Sequence, residues 1–108
     1  MSSAKNRPSK ISPKSGGSRG SLFPLGQIVA TRGVMSHLAQ CSIGPVPYLA
    51  RHARGDWGLV PAEDVKANDL AVEHGWCILS AYDIAGVRVW IITEADRSVT
   101  TLLLPDEY

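Results

Sequence analysis

The strongest constraint on this chain lies in its last third. Residues 76–82, 87–93 and 98–104 are three successive runs rich in β-branched and aromatic side chains, and Pro105 ends the last of them. The segments between them, Asp83-Ile84-Ala85-Gly86 and Glu94-Ala95-Asp96-Arg97, have hairpin length. An antiparallel meander is therefore expected. A sheet this small is not stable with both faces in water, so helices from the first half must cover an apolar face. Trp90, Ile92 and Leu103 are the side chains expected beneath them.

Upstream, residues 26–31 form a short β-prone run closed by Arg32-Gly33. Three helical stretches follow. Val34, Leu38 and Cys41 share one face of residues 34–41, and Gly44-Pro45 ends that stretch. Residues 47–54 read as a second short helix with Pro47 in its first turn and Gly55 as its stop. Residues 61–74 form the third, with Glu63 and Asp64 in the first turn, where the helix end favours acids, and Gly75 at the left-handed closing position. The fold class expected is α+β: a three-stranded antiparallel meander packed on two or three short helices, with a short N-terminal strand.

Charge divides the chain in two. Residues 1–21 hold Lys5, Arg7, Lys10, Lys14 and Arg19 and no acid, a net of +5, whereas residues 22–108 hold six basic and ten acidic residues, a net of −4. The first segment is rich in Ser, Gly and Pro, with Ile11 its one large aliphatic residue after Met1. It buries too little apolar surface to offset its ordering entropy, so it is expected to be a disordered basic arm. Residues 22–108 are expected to form a single small domain. Lys5, Arg7, Lys10, Lys14 and Arg19 are the candidates for a sequence-independent grip on nucleic-acid phosphates. The alternative for the same residues is a solvated tail.

Composition narrows the chemistry further. No apolar run approaches the roughly 20 residues of a spanning helix. No apolar stretch follows the first basic residues as a secretory signal requires. The two cysteines, Cys41 and Cys77, are too few for a disulfide-dense scaffold, so a cytoplasmic protein is expected. Both are expected in the core, and the apolar neighbours Trp76 and Ile78 should raise the Cys77 pKa. His37, His52 and His74 fall in three different helices without ligand spacing, so no metal and no cofactor is expected. Phosphate-loop, dinucleotide and nucleophile-elbow motifs are all missing from the sequence. Glu94 and Asp96 sit in a turn where solvation, and for Asp96 local backbone bonding, is expected rather than acid–base work. Asp106-Glu107-Tyr108 reads as an acidic recognition tail.

The most distinctive loop is Gly55-Asp56-Trp57-Gly58. A large aromatic between glycines either plugs the edge of a core, the reading favoured here, or stands out as an interface anchor. With Tyr48, Arg51, His52, Arg54 and Asp56 around it, Trp57 marks a locally basic corner on an acidic body. Those six residues are the candidate partner-binding patch, on condition that Trp57 is exposed.

The runs Leu25-Gly-Gln-Ile-Val-Ala-Thr31, Leu49-Ala-Arg-His52, Gly55-Asp-Trp-Gly58 and Trp90-Ile-Ile-Thr-Glu-Ala-Asp-Arg-Ser-Val-Thr-Thr-Leu-Leu-Leu-Pro-Asp-Glu-Tyr108 resemble a family of short bacterial proteins labelled "plasmid-related protein". Some members carry the label of a type I restriction endonuclease subunit. The resemblance spans residues 25–108 and leaves out the basic arm. It implies carriage on plasmids and integrative elements and brings no catalytic residues. The chain has no Asn-Pro-Pro-Tyr/Phe motif and no room for a methyl-donor domain, so restriction chemistry is not expected of it. The function expected is that of a non-catalytic protein-binding accessory module of a mobile element, such as an inhibitor or modulator of a host defence or maintenance complex. Its partner is a protein; no membrane and no small-molecule substrate is indicated. The alternative is a nucleic-acid accessory protein that binds through the arm.

Overall fold

The computed structural model describes residues 20–108. The elements run β1 (Gln27–Ala30), α1 (Arg32–Cys41), α2 (Val46–Ala53), α3 (Ala62–His74), β2 (Ile78–Ile84), β3 (Val87–Thr93) and β4 (Val99–Leu103), with a final 3₁₀ turn at Pro105–Glu107. The fold is α+β, with three helices and one four-stranded mixed sheet in the order β1-β4-β3-β2. The meander of the last three strands is present as expected. The N-terminal strand joins it on the far side of β4 and runs parallel to that strand.

Local chemistry accounts for most boundaries. Arg32-Gly33 does not close β1 but begins α1, because Thr31 is extended and its hydroxyl accepts from the Val34 amide, starting the helix two residues earlier than apolar spacing suggests. Gly75 ends α3 at φ 75°, as the sequence indicates. The first hairpin turn is tighter than the four residues expected. Ile84 pairs with Val87, and Ala85 and Gly86 both take positive φ, the mirror-image turn that suits twisted strands.

The register separates the two faces of the sheet. Ile78, Ser80, Tyr82 and Ile84 of β2 share a face with Val89, Ile91 and Thr93 of β3 and with Thr100 and Leu102 of β4. All three helices pack here. Val34 and Leu38 of α1 and Leu49 of α2 join Tyr82, Ile84, Val89, Ile91 and Leu102 in one buried cluster. Ala71 of α3 joins Phe23, Trp57 and Ile78 in a second, and Leu25 touches both.

The opposite face carries Leu79, Ala81, Trp90, Ile92, Leu103 and Val29. This corrects the expectation that helices cover Trp90, Ile92 and Leu103. Neither buried cluster includes any of these three residues. Ile92 and Leu103 are nonetheless buried, at 8% and 6% exposure, while Trp90 is half-buried, with the Tyr108 ring edge-on at 5.7 Å. The reason is that residues 89–92 of β3 are apolar on both faces, and only Arg88, on the side of Trp90 and Ile92, marks the outer one.

Candidate functional site

The corner formed by α2 and the Gly55–Gly58 loop contains all six candidate patch residues. Helix α2 stops at Arg54, and the Asp56 amide folds back onto the Arg51 carbonyl at 2.9 Å. That return brings the Asp56 carboxylate against the Arg51 guanidinium, with Nε to Oδ2 at 2.7 Å and Nη2 to Oδ1 at 3.4 Å. Oδ1 also accepts the Gly58 amide. The Arg51 guanidinium lies 4.6 Å from the centre of the Tyr82 ring, and the Tyr82 hydroxyl donates to the Asp56 carbonyl at 2.5 Å. The bonded guanidinium holds the Asp56 carboxyl below its ordinary range, and Asp56 raises Arg51 in return. Burial pushes the Tyr82 hydroxyl up to about 12. These groups line an open cleft of about 260 Å³ together with Gly58, Leu59 and Asp83.

Two of the six residues are not on the surface at all. Trp57 is 4% exposed, so the condition for an exposed anchor fails and the plug reading holds. Its indole stacks near Phe23 at 6.2 Å, and its Nε1–H donates to Asp69 of α3 at 3.1 Å. That partner gives a buried indole its hydrogen bond at the rim of the core. The loop backbone is fixed as well. Gly58 sits at φ 75° against β2, where an added Cβ would meet the Ala81 carbonyl oxygen at 2.0 Å.

His52 is fully buried, contrary to its place in the patch. Its Nδ1 lies 2.6 Å from the Ser80 hydroxyl and its Nε2 lies 2.9 Å from the Thr93 hydroxyl. Thr93 in turn meets Thr100 at 2.7 Å, and the Thr100 hydroxyl donates to the Leu25 carbonyl at 2.6 Å. The carbonyl can only accept, which orders the whole chain. Thr100 gives its proton to Leu25, Thr93 gives its own to Thr100, and His52 therefore donates from Nε2 and accepts from Ser80 at Nδ1. Burial, assisted by the charge of Arg97, lowers the His52 pKa to about 4, so the ring is neutral at pH 7. A serine beside a histidine is the beginning of a nucleophilic site, but Ser80 is itself fully buried. The chain of hydroxyls ties α2 to β2, β3, β4 and the entry to β1. It is a structural network.

Of the patch, Tyr48 is half-buried against Tyr82, Arg51 and Asp56 are committed to each other, and Arg54 is exposed. An ion pair as open as Arg51–Asp56 contributes little to stability, so its effect is to shape the loop. Lys5, Arg7, Lys10, Lys14 and Arg19 lie outside the described residues.

Other positions also find structural duties. Asp96 accepts the Ser98 amide and hydroxyl, as expected of a turn aspartate. Arg97 instead reaches α3 and donates to the carbonyls of Ala71 and Trp76 at 2.8 and 2.7 Å, closing the helix C-terminus. In the acidic tail Asp106 and Tyr108 are exposed, while Glu107 is tied down. Glu107 accepts the Gly33 amide at the start of α1, the Thr31 hydroxyl and the Leu104 amide, bonds that lower its pKa. Cys77 is exposed and Cys41 half-buried, so neither is the core residue expected; burial of the thiol's surroundings and Glu94 nonetheless push the Cys77 pKa up, in the expected direction. Among the described residues no group of three or more His, Cys, Asp or Glu is placed to hold a metal. Nor is any helix among them long and apolar enough to cross a membrane.

Sequence reasoning missed Asn68 and Asp69. Both lie in a helix whose apolar pattern is weak, and a polar residue at a core-facing helical position is the one signal that marked Asn68. No family model, curated protein or solved structure matches the chain.

Proposed function

We propose that this chain is a non-catalytic protein-binding module, and that it meets its partner through the face of the sheet opposite the helices. The observation that carries the reading is the half-buried Trp90 at the middle of that face, flanked by the half-buried Leu79 and by Ile92 and Leu103, which are 8% and 6% exposed, with the opposed charges Asp83 and Arg88 at one end. A tryptophan ringed by aliphatic side chains and bordered by charge is the usual make-up of an interface centre. The non-catalytic part of the reading is supported by the burial of His52 and Ser80 and by the mutual commitment of Arg51, Asp56 and Tyr82. Its place as an accessory of a mobile element, acting on a host defence or maintenance complex, rests on the sequence resemblance alone.

The test is a nuclease-treated pull-down of the tagged chain from its native host, with wild type beside Trp90→Asp. A stoichiometric protein recovered with wild type, and lost with a variant that keeps its circular dichroism, is the expected result. Equal recovery with both chains removes this face from consideration. The +5 charge of residues 1–21 favours a second reading, phosphate binding through Lys5, Arg7, Lys10, Lys14 and Arg19. It predicts nucleic-acid binding that weakens steeply with salt and vanishes when residues 1–19 are deleted.

A further inference from the structure

The two edges of the sheet are treated differently. On β2, alternate residues turn their backbone groups outward, and each is occupied or guarded. The Asn68 side chain bonds both the Leu79 carbonyl and the Leu79 amide, at 2.8 and 3.2 Å. The Trp57–Leu59 loop takes the Ala81 amide at 3.1 Å and gives its own Leu59 amide to the Ala81 carbonyl at 2.7 Å. Asp83 adds an exposed charge at the next outward position. These are the ways in which proteins keep a strand edge from recruiting another strand.

On β1, apart from the shortness of the four-residue strand, no such device is present among the described residues. The bonds from the Gln27 amide to Ser98 and from the Thr31 amide to Leu102 show that residues 27, 29 and 31 face β4. Ile28 and Ala30 therefore turn their N–H and C=O groups away from the sheet. The strand Gln27-Ile28-Val29-Ala30 is uncharged, and Ile28 and Val29 are 42% and 38% exposed.

We propose that β1 is the pairing edge of a homodimer, two copies joining antiparallel about a two-fold axis at Val29. The strand is complementary to itself in that register. Ile28 of each copy exchanges both backbone hydrogen bonds with Ala30 of the other, which satisfies every outward group on the strand. A large side chain then lies beside a small one, Ile28 against Ala30, and Val29 meets Val29 across the axis on the other face. Arg32 of one copy falls opposite Gly26 of the other, so no like charges are brought together. The register also runs Thr31 and Arg32 of the second copy past the mouth of an open apolar groove of about 710 Å³, which Leu22, Phe23, Leu25 and Ile28 line. The two sheets become one of eight strands with all helices on one side. A single short strand pair buries less than a standard stable interface, so the dimer is weak and concentration-dependent. This inference is independent of the partner surface around Trp90.

Sedimentation equilibrium of the full chain tests it, with Ala30→Pro and Val29→Lys as variants. Proline at an outward-facing edge position removes one dimer donor and no bond to β4, and lysine sets two like charges on the axis. The wild-type mass should climb from 11.6 kDa toward twice that value as concentration rises, while both variants stay at the monomer mass with unchanged circular dichroism. If a variant unfolds, wild-type hydrogen exchange decides: the Ile28 and Ala30 amides should be protected at high concentration and exchange freely on dilution. A wild-type chain that stays monomeric at millimolar concentration overturns the proposal. So does a dimer that survives both substitutions, or protection of the two amides that is independent of concentration.

Discussion

At the scale of single residues, the most consequential finding is that His52 is an interior group. Its ring, neutral and donating from Nε2, completes a line of hydroxyls that ends on the Leu25 carbonyl. The unfolded ring titrates near 6.5 and the folded ring near 4, so between those values the unfolded chain binds the extra proton. Stability from this group is complete above about pH 6.5 and falls as pH drops toward 4, by about 3 kcal/mol in total. Urea titrations across that window should show the slope in wild type and its loss in His52→Gln; equal slopes would assign the acid sensitivity to other groups. Nothing in the spacing of Arg51-His52 distinguishes a surface histidine from this one. The distinction depends on Ser80 and Thr93, which lie 28 and 41 residues away. Trp57 was more legible, because glycines on both sides of a large aromatic already favour a plug.

At the scale of elements, local signals read well where a cap or turn residue was decisive. Gly75 ended α3, Asp96 shaped the second hairpin turn, and the β-branched runs became strands. They failed where an element serves a distant neighbour. Helix α3 buries Asn68 and Ala71 while Leu70 is 48% exposed, because its inward face must present an amide to the β2 edge. Asn68→Ala would leave the Leu79 amide and carbonyl unpaired in a largely buried setting, at a cost of about 2 kcal/mol. Chemical denaturation measures it, and a change within about 0.5 kcal/mol, the usual range for surface substitutions, would mean that water takes over both bonds.

At the scale of the whole molecule, the sheet has an inside and an outside although residues 89–92 of β3 are apolar on both. Leu102, 1% exposed beneath the helices, should cost about 3 kcal/mol when cut to alanine. Trp90→Ala, on the opposite face, should cost about 1 kcal/mol despite removing the larger side chain. Thermal denaturation of the pair checks which face is the core, and the reverse order would invert the assignment. The C-terminus shows the same dependence on distance, since Glu107 completes the start of α1 from 74 residues away. What the chain order determined by itself was local: three helices, a hairpin-linked meander, the turn glycines and the charge split between the arm and the body. These follow from period, capping and backbone sterics within a few residues. Which face turns inward, where β1 joins, and which polar groups are consumed as caps were decided only by tertiary structure. The reason is that buried hydrogen bonds must be paired, and here their partners come from opposite ends of the chain.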